Sequence, residues 1–324
     1  MPALYDGLVG DVGGTNARFA LVDADGHLRN TKTYRCADYA SLDAIITEYL
    51  DETAGKKRPA KAVVAVAGPV VDGEIEFTNL DWQVSETELI AHFGFDAVKL
   101  VNDFAAQAMA APVLDANDVR PIGPPLRGAP TCPIVVLGAG TGFGVAAVAR
   151  SQHVDIAVAT EGGHAGFAPH DEVEARVWAR LQKIHGRVSV ERVLSGQGLY
   201  DLYLALEDQA GRAPRLADER AVVEAADAGH EAAGAVLDRF CAILGGAAGD
   251  LALSHGARGG VYVSGGIAPR MGERLMAGGF RARFEAKGRL SDYVAAIPTF
   301  LITHPYAALV GCARELKQLE GVRL

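Results

Sequence analysis

A short strand, a turn rich in glycine and threonine, and a second strand occur twice in this sequence, as LVGDVGGTNARFAL (Leu8 to Leu21) and as VLGAGTGFGVAAVA (Val136 to Ala149). Written one above the other, the segments put Asp11 of the first against Ala139 of the second. A chain that repeats such a hairpin is constrained to build two related α/β units. Turns without Cβ atoms let backbone N–H groups approach an anion, and threonine hydroxyls add donors. One such turn would be an ordinary hairpin. Two matched turns, Asp11-Val12-Gly13-Gly14-Thr15 and Gly138-Ala139-Gly140-Thr141-Gly142, would grip a polyphosphate from both sides of a cleft. Asp11 suits a Mg²⁺ ion, held through water because that ion gives up its hydration shell reluctantly.

Other phosphate-binding patterns are missing. No GxxxxGK[ST] occurs, and after Gly138 and Gly140 the third glycine of a GxGxxG is replaced by Phe143. Asp103-Phe104 is followed by Ala105, which breaks a protein-kinase signature, and no GxSxG marks a nucleophile elbow.

The chain's 324 residues suffice for about two domains. At 49% hydrophobic and 22% charged it has ample core-forming residues, and a net charge of −9 leaves no electrostatic footprint for nucleic acid. Cys36, Cys132, Cys241 and Cys312 form no CxxC pair, as expected of reduced thiols in a cytoplasmic protein. Residues Met1 to Gly7 lack the basic and apolar regions of a signal peptide. Gly128 to Ala149 carries no charge, yet its glycines and prolines break it into two strands around a loop, so no membrane span is expected.

Leu42, Ile45, Ile46 and Tyr49 have helical spacing, and Ala62 to Ala67 reads as a buried strand. Asp25-Gly26 and Asp72-Gly73 mark hairpins. Ser85 and Glu88 read as a capping box opening a helix that Gly94 stops. A strand over 98–101 ends at Asn102-Asp103, where a helix over 104–110 begins, so that Asp103 taken alone would be an N-cap. The second half reads as mostly helical over 171–185, 195–207 and 229–255. A strand over 260–264, a Gly265-Gly266 turn, a helix near Met271, a strand over 300–303 and a helix over 306–319 follow. The last helix is expected to return to the first domain. This gives a small α/β domain of 1–112 plus 304–324 and a large one of 113–303, with ligands at the carboxyl ends of the strands.

Three segments carry further polar groups: Asn102-Asp103, TEGGHAGFAP with Glu161 and His164, and SVERVLSGQG with Glu191. Glu191 alone would be a solvated helix residue. Together these donors and acceptors suit the hydroxyls of a sugar, which needs many directional hydrogen bonds. Zinc sites recruit cysteines or several histidines with closed spacing, and no such set lies near Glu161 and His164.

These motifs, in this order, closely resemble bacterial glucokinases of the hexokinase/actin-like ATPase superfamily. The resemblance runs through GDVGGTNARFAL, LVNDFAAQA, LGAGTGFGVA, EGGHAGFAP, ERVLSGQGL and SGGIAPR, essentially end to end. It implies a two-domain α/β fold of the actin-like ATPase (ribonuclease H-like) class with an interdomain cleft. It also implies phosphorylation of glucose at O6 by Mg·ATP at the entry to glycolysis. Asp103 then resembles the catalytic base, and Asn102, Asp103, Glu161, His164 and Glu191 resemble the glucose-binding set, with Asn79 a further candidate. Gly10 to Thr15 and Gly138 to Gly142 resemble the two phosphate loops, and Gly265-Gly266 resembles the segment beside the adenosine. The cysteine-rich zinc motif of the related repressor/kinase branch is absent, which points to the non-zinc branch. The resemblance further implies a homodimer.

A kinase for mannose or fructose would keep every motif. A non-kinase actin-like ATPase would keep the phosphate turns without needing the sugar cluster. A sugar-responsive DNA-binding regulator would need a helix-turn-helix before Gly10, where the sequence offers no room. Glucose is expected to draw the domains together and exclude water from the phosphoryl group.

Overall fold

Alternation along the N-terminal strands decides how the first sheet is covered. In a computed structural model that describes residues 6–55, 57–77 and 80–319, the N-terminal residues form β1 (Gly7–Val12), β2 (Asn16–Val22), β3 (Leu28–Arg35) and α1 (Leu42–Thr53). β4 (Lys61–Val66), β5 (Glu74–Glu76), β6 (Gln83–Ser85), α2 (Glu86–Phe93), β7 (Ala97–Asn102) and α3 (Asp103–Ala110) follow. The five-stranded sheet has the order β3-β2-β1-β4-β7, antiparallel through β2 and parallel from β1 to β7. Leu8, Phe19, Leu21 and Val64 pack on one face with Ile45, Ile46 and Tyr49 of α1, whereas Val9, Ala20, Val63 and Ala65 point to the other face.

The second unit, residues 115–303, begins with β8 (Val119–Pro121), β9 (Ile134–Ala139), β10 (Phe143–Arg150) and β11 (Asp155–Thr160). Helices α4 (Glu172–His185), α5 (Gly196–Gln209), α6 (Glu219–Asp227) and α7 (Glu231–His255) lead to β12 (Gly260–Ser264). α8 (Ala268–Met276), α9 (Gly279–Glu285), α10 (Ser291–Ala295) and β13 (Thr299–Ile302) complete it. Its six-stranded sheet runs β11-β10-β9-β12-β13-β8. Val135, Leu137, Val145, Val261 and Val263 pack with Phe240 and Leu244 of α7 and Phe280 and Phe284 of α9. Among the described residues no helix is long and apolar enough to cross a membrane.

α11 (Ala307–Gln318) belongs to the first unit, which comprises residues 1–114 and 304–324. It covers the face that Val9, Val63 and Ala65 present, through Leu309, Cys312 and Leu316. A Cβ on Gly311 would lie 1.7 Å from the Ala106 carbonyl oxygen, so α11 meets α3 at backbone contact. That contact fixes where α3, and with it Asp103, begins.

The duplicated hairpin is part of a larger repeat. β9, β10, β11, β12 and β13 reproduce the order and directions of β1, β2, β3, β4 and β7. The turns themselves differ: Val12 pairs with Ala17 around the first, and Ala139 with Phe143 around the tighter second.

The capping box at Ser85 does not form. Its hydroxyl meets Thr87 Oγ1 at 2.7 Å and caps no helix N–H. Glu86, the next residue, instead accepts the Leu100 N–H at 2.7 Å and ties α2 to β7. Gly94 closes α2 in the left-handed conformation, as its place in the sequence suggests.

Candidate active site

In the first unit the parallel strands β1, β4 and β7 end on one edge of the sheet, at Gly13, Ala67 and Asp103. Asn102 holds this edge together. Its Oδ1 accepts the N–H groups of Phe104 and Ala105 at 3.0 and 3.1 Å, and its Nδ2 donates to the Gly68 carbonyl at 3.2 Å. Asn102, and not Asp103, is therefore the N-cap of α3. The expectation of an Asp103 cap fails because the short amide one residue earlier has the extended backbone that a cap requires. Asp103 is left at the first helical position, where its Oδ1 accepts the Phe104 N–H at 2.9 Å. Burial raises its carboxyl to about 6, and the charge of Asp11 adds to the shift.

Asp11 shares the sheet face of Val9, two residues earlier on β1, and stands opposite Arg18 of β2. Arg18 Nη1 donates to its Oδ2 at 3.1 Å. Burial still raises the Asp11 carboxyl, the arginine only opposing the shift. Sequence reasoning passed over Arg18. The hairpin register carried the signal, because a loop from Gly13 to Asn16 puts the lone charge of β2 against Asp11.

The residues of the first turn separate into two groups. Gly10 lies inside β1, and a Cβ there would sit 2.6 Å from the Phe19 ring, so its missing side chain makes room for core packing. Val12 is a buried strand residue. Gly13 donates to the Asn16 carbonyl at 3.0 Å, while Gly14 and Thr15 are exposed at the tip. Asn79 lies outside the described residues.

In the second unit, Gly138 ends against β12, where a Cβ would meet the Ser264 carbonyl oxygen at 2.4 Å. Gly140 donates to the Gly142 carbonyl at 2.8 Å and accepts from the Gly196 N–H at 2.9 Å, and Thr141 is exposed. Gly265 has φ +83°, with its open side 2.5 Å from the Ala139 carbonyl oxygen, a position only glycine fits. Gly266 follows beside it with open space around its Cα. The second turn and the Gly265-Gly266 segment are thus one packed feature.

Glu161 precedes and His164 closes a single turn, Gly162–His164, directly after β11. Both side chains are exposed, with His164 Nε2 3.8 Å from Glu161 Oε2. Glu191 is no solvated helix residue, because it lies in the turn before α5 and its Oε2 accepts the Phe143 N–H at 2.9 Å. The structure thus brings Glu161, His164, Glu191 and the second turn together in one unit, and Asp11, Asn102 and Asp103 together in the other.

Comparison with known proteins gives this arrangement its family. A family model described as Glucokinase matches residues 8–319. A glucokinase of Caulobacter sp. (strain K31) is 50% identical over 310 residues, covering 95% of this chain and 94% of that one. The crystal structure of a glucokinase from an Antarctic psychrotroph superposes with a TM-score of 0.89 at 39% identity, covering 96% of this chain and 98% of the other. A glucokinase from Balamuthia mandrillaris, crystallised with glucose, shares the fold with a TM-score of 0.74 at 19% identity, covering 96% and 93%. The two large sheets, with β5 and β6 pairing as a small third, are those of the actin-like ATPase class. On a family match spanning almost the whole sequence and a relative sharing half its residues, the chain belongs to the glucokinase family.

Proposed function

We propose that Asp103 is the general base of the reaction. As a glucokinase, the chain transfers a phosphoryl group from ATP to glucose. A sugar hydroxyl is far too weak an acid to ionise at neutral pH, so a base at the transition state carries weight. The observation that supports this role is the Asp103 carboxyl, lifted to about 6 and oriented at the start of α3. A carboxylate of that basicity is still ionised at pH 7 and takes a proton more readily than an ordinary aspartate. The O6 hydroxyl gives its proton to Asp103 as its oxygen attacks the γ-phosphorus in line, and ADP leaves.

Asn102 acts mainly by fixing α3, since its carbonyl oxygen is already committed to the cap. Glu161, His164 and Glu191 are proposed to hydrogen-bond the remaining sugar hydroxyls, with Asn79 kept as a candidate on sequence alone. Gly13 to Thr15 and Gly140 to Gly142 are proposed to receive the phosphates, and Gly265-Gly266 to border the adenosine. The exposed Thr15 and Thr141 supply hydroxyl donors at the turn tips. Gly10, Val12 and Gly138 support these turns from within the strands.

Asp11 fits a magnesium ion held through water. Its hard oxygen donors lie near a second carboxylate, and a divalent cation would relieve the repulsion that helps to raise Asp103. When bound, the ion neutralises phosphate oxygens during transfer. The two compact units are proposed as the enzyme's two domains. On family resemblance the protein is proposed to be a cytoplasmic homodimer, which light scattering would check.

The first experiment measures ADP release from Mg·ATP with glucose, mannose, fructose, glucosamine or no sugar. Release dependent on glucose alone is expected. Equal release with mannose or fructose would replace glucose by hexoses in general, and equal release without sugar would overturn the sugar site.

A further inference from the structure

We infer that Glu191 positions the nucleotide turn as well as binding sugar, so that one carboxylate ties the two affinities together. The inference rests on the phosphate role proposed for the turn ending at Gly142. Glu191 Oε2 accepts the Phe143 N–H at 2.9 Å, which fixes the peptide by which the chain leaves that turn. A Cβ on Gly142 would lie 2.5 Å from the same oxygen, so the carboxylate presses directly on the turn backbone. The Glu191 N–H donates in turn to the Gly163 carbonyl at 3.0 Å. A Cβ on Gly163 would stand 2.0 Å from the Phe143 carbonyl oxygen.

These contacts close a ring from Phe143 to Glu191 to Gly163 and back to Phe143. Gly163 sits between Glu161 and His164, so the sugar segment and the nucleotide turn share this one clasp. Among the described residues Glu191 Oε1 has no hydrogen-bond partner, leaving it to accept from a sugar hydroxyl while Oε2 holds the turn. Hydrogen bonds to an ionised carboxylate are about twice as strong as neutral ones. A ligand that orders the carboxylate on one side therefore orders the turn on the other, and the coupling is reciprocal.

The test is calorimetric titration of ADP in the absence of sugar, with glucose titrated separately. Glu191→Ala is expected to weaken ADP about tenfold, as loss of a charged hydrogen bond implies. Glu191→Gln still offers the Phe143 N–H a carbonyl oxygen, and rescues ADP affinity to within about twofold while glucose affinity stays low. A purely structural role would not produce this split. Gly142→Ala, which pushes the carboxylate off the turn with Glu191 still present, is expected to weaken both ligands. Thermal unfolding checks that each variant is folded, and if Glu191→Ala is not, Gly142→Ala decides. Wild-type ADP affinity in folded Glu191→Ala, or in Gly142→Ala if it is the deciding variant, overturns the inference. Unchanged glucose affinity in both Glu191 variants would remove the sugar role, and with it the tie between the two affinities, and so would also overturn the inference.

Discussion

Asp11 and Asp103 set like charges against each other at the carboxyl edge of one sheet. The charge of Asp11 adds to burial in lifting Asp103 to about 6, and Asp11 is itself raised although Arg18 lies 3.1 Å away. A site that keeps two strained carboxylates gives up stability for basicity.

Asp103→Asn should therefore separate activity from stability. Turnover is expected to fall at least ~10²-fold, because the base is gone. The folded carboxyl titrates near 6 against an unfolded value near 3.8, so native Asp103 binds its proton more tightly than the unfolded chain does. Its destabilising effect is absent below about pH 4, grows between about 4 and 6, and is complete above. The asparagine variant should thus melt higher than the parent at pH 7, by an amount on the order of 1–3 kcal/mol, and should match it near pH 4. Calorimetry at both pH values checks this, and a variant less stable at pH 7 would contradict the burial argument.

Asp11→Asn should move the acidic limb of the pH–rate profile. In the parent, kcat/KM is expected to fall about tenfold per pH unit below about 6, as Asp103 takes up its proton. Removing the Asp11 charge lowers the Asp103 pKa, so the limb shifts to lower pH. The magnesium concentration for half-maximal rate should rise at the same time. A limb that stays in place would show that burial alone sets Asp103.

Asn102→Ala removes the cap of α3 and the tie to Gly68 together. A loss of about 1–2 kcal/mol is expected, read as a lower denaturation midpoint. Asn102→Asp keeps the cap oxygen but brings a third negative charge beside Asp103. It should recover most of the stability and push the acidic limb to higher pH.

Gly311→Ala sets two effects against each other. Alanine in a helix interior favours the helix by up to about 1 kcal/mol over glycine. The new Cβ would meet the Ala106 carbonyl oxygen at 1.7 Å, and forcing helices apart costs about 1–3 kcal/mol. The clash should win, lowering the melting temperature, and turnover should drop with it because α3 carries Asp103. A stabilised Gly311→Ala would show that α3 and α11 have slack.

Much of this was legible in the sequence where the signal is local. Apolar runs and glycine turns marked β1, β2, β9, β10 and β12, and helical spacing marked α1. α9 escaped because its core side includes Arg281, 6% exposed and satisfied by the Ala295 and Ile297 carbonyls, so its pattern does not look apolar. α6 buries only Val222 and Ala226, too thin a stripe for periodicity to find. Glu191 was misread in isolation because its partner, the Phe143 N–H, lies 48 residues away in sequence. Choosing between Asn102 and Asp103 as cap likewise required backbone angles that adjacent short polar residues do not reveal.

The return of α11 to the first unit reverses the usual order of assembly during synthesis. Domains generally fold as they emerge, the N-terminal one first. Here the sheet made first carries Val9, Ala20, Val63 and Ala65 on a face that packs early with Ala106 of α3 but is completed only with Leu309, Cys312 and Leu316. The second unit, closed at residue 303, has all its own strands before α11 is translated. On the ribosome the first sheet must wait, half-clad, until α11 has been made, and a stop codon before Ala307 would strand it there.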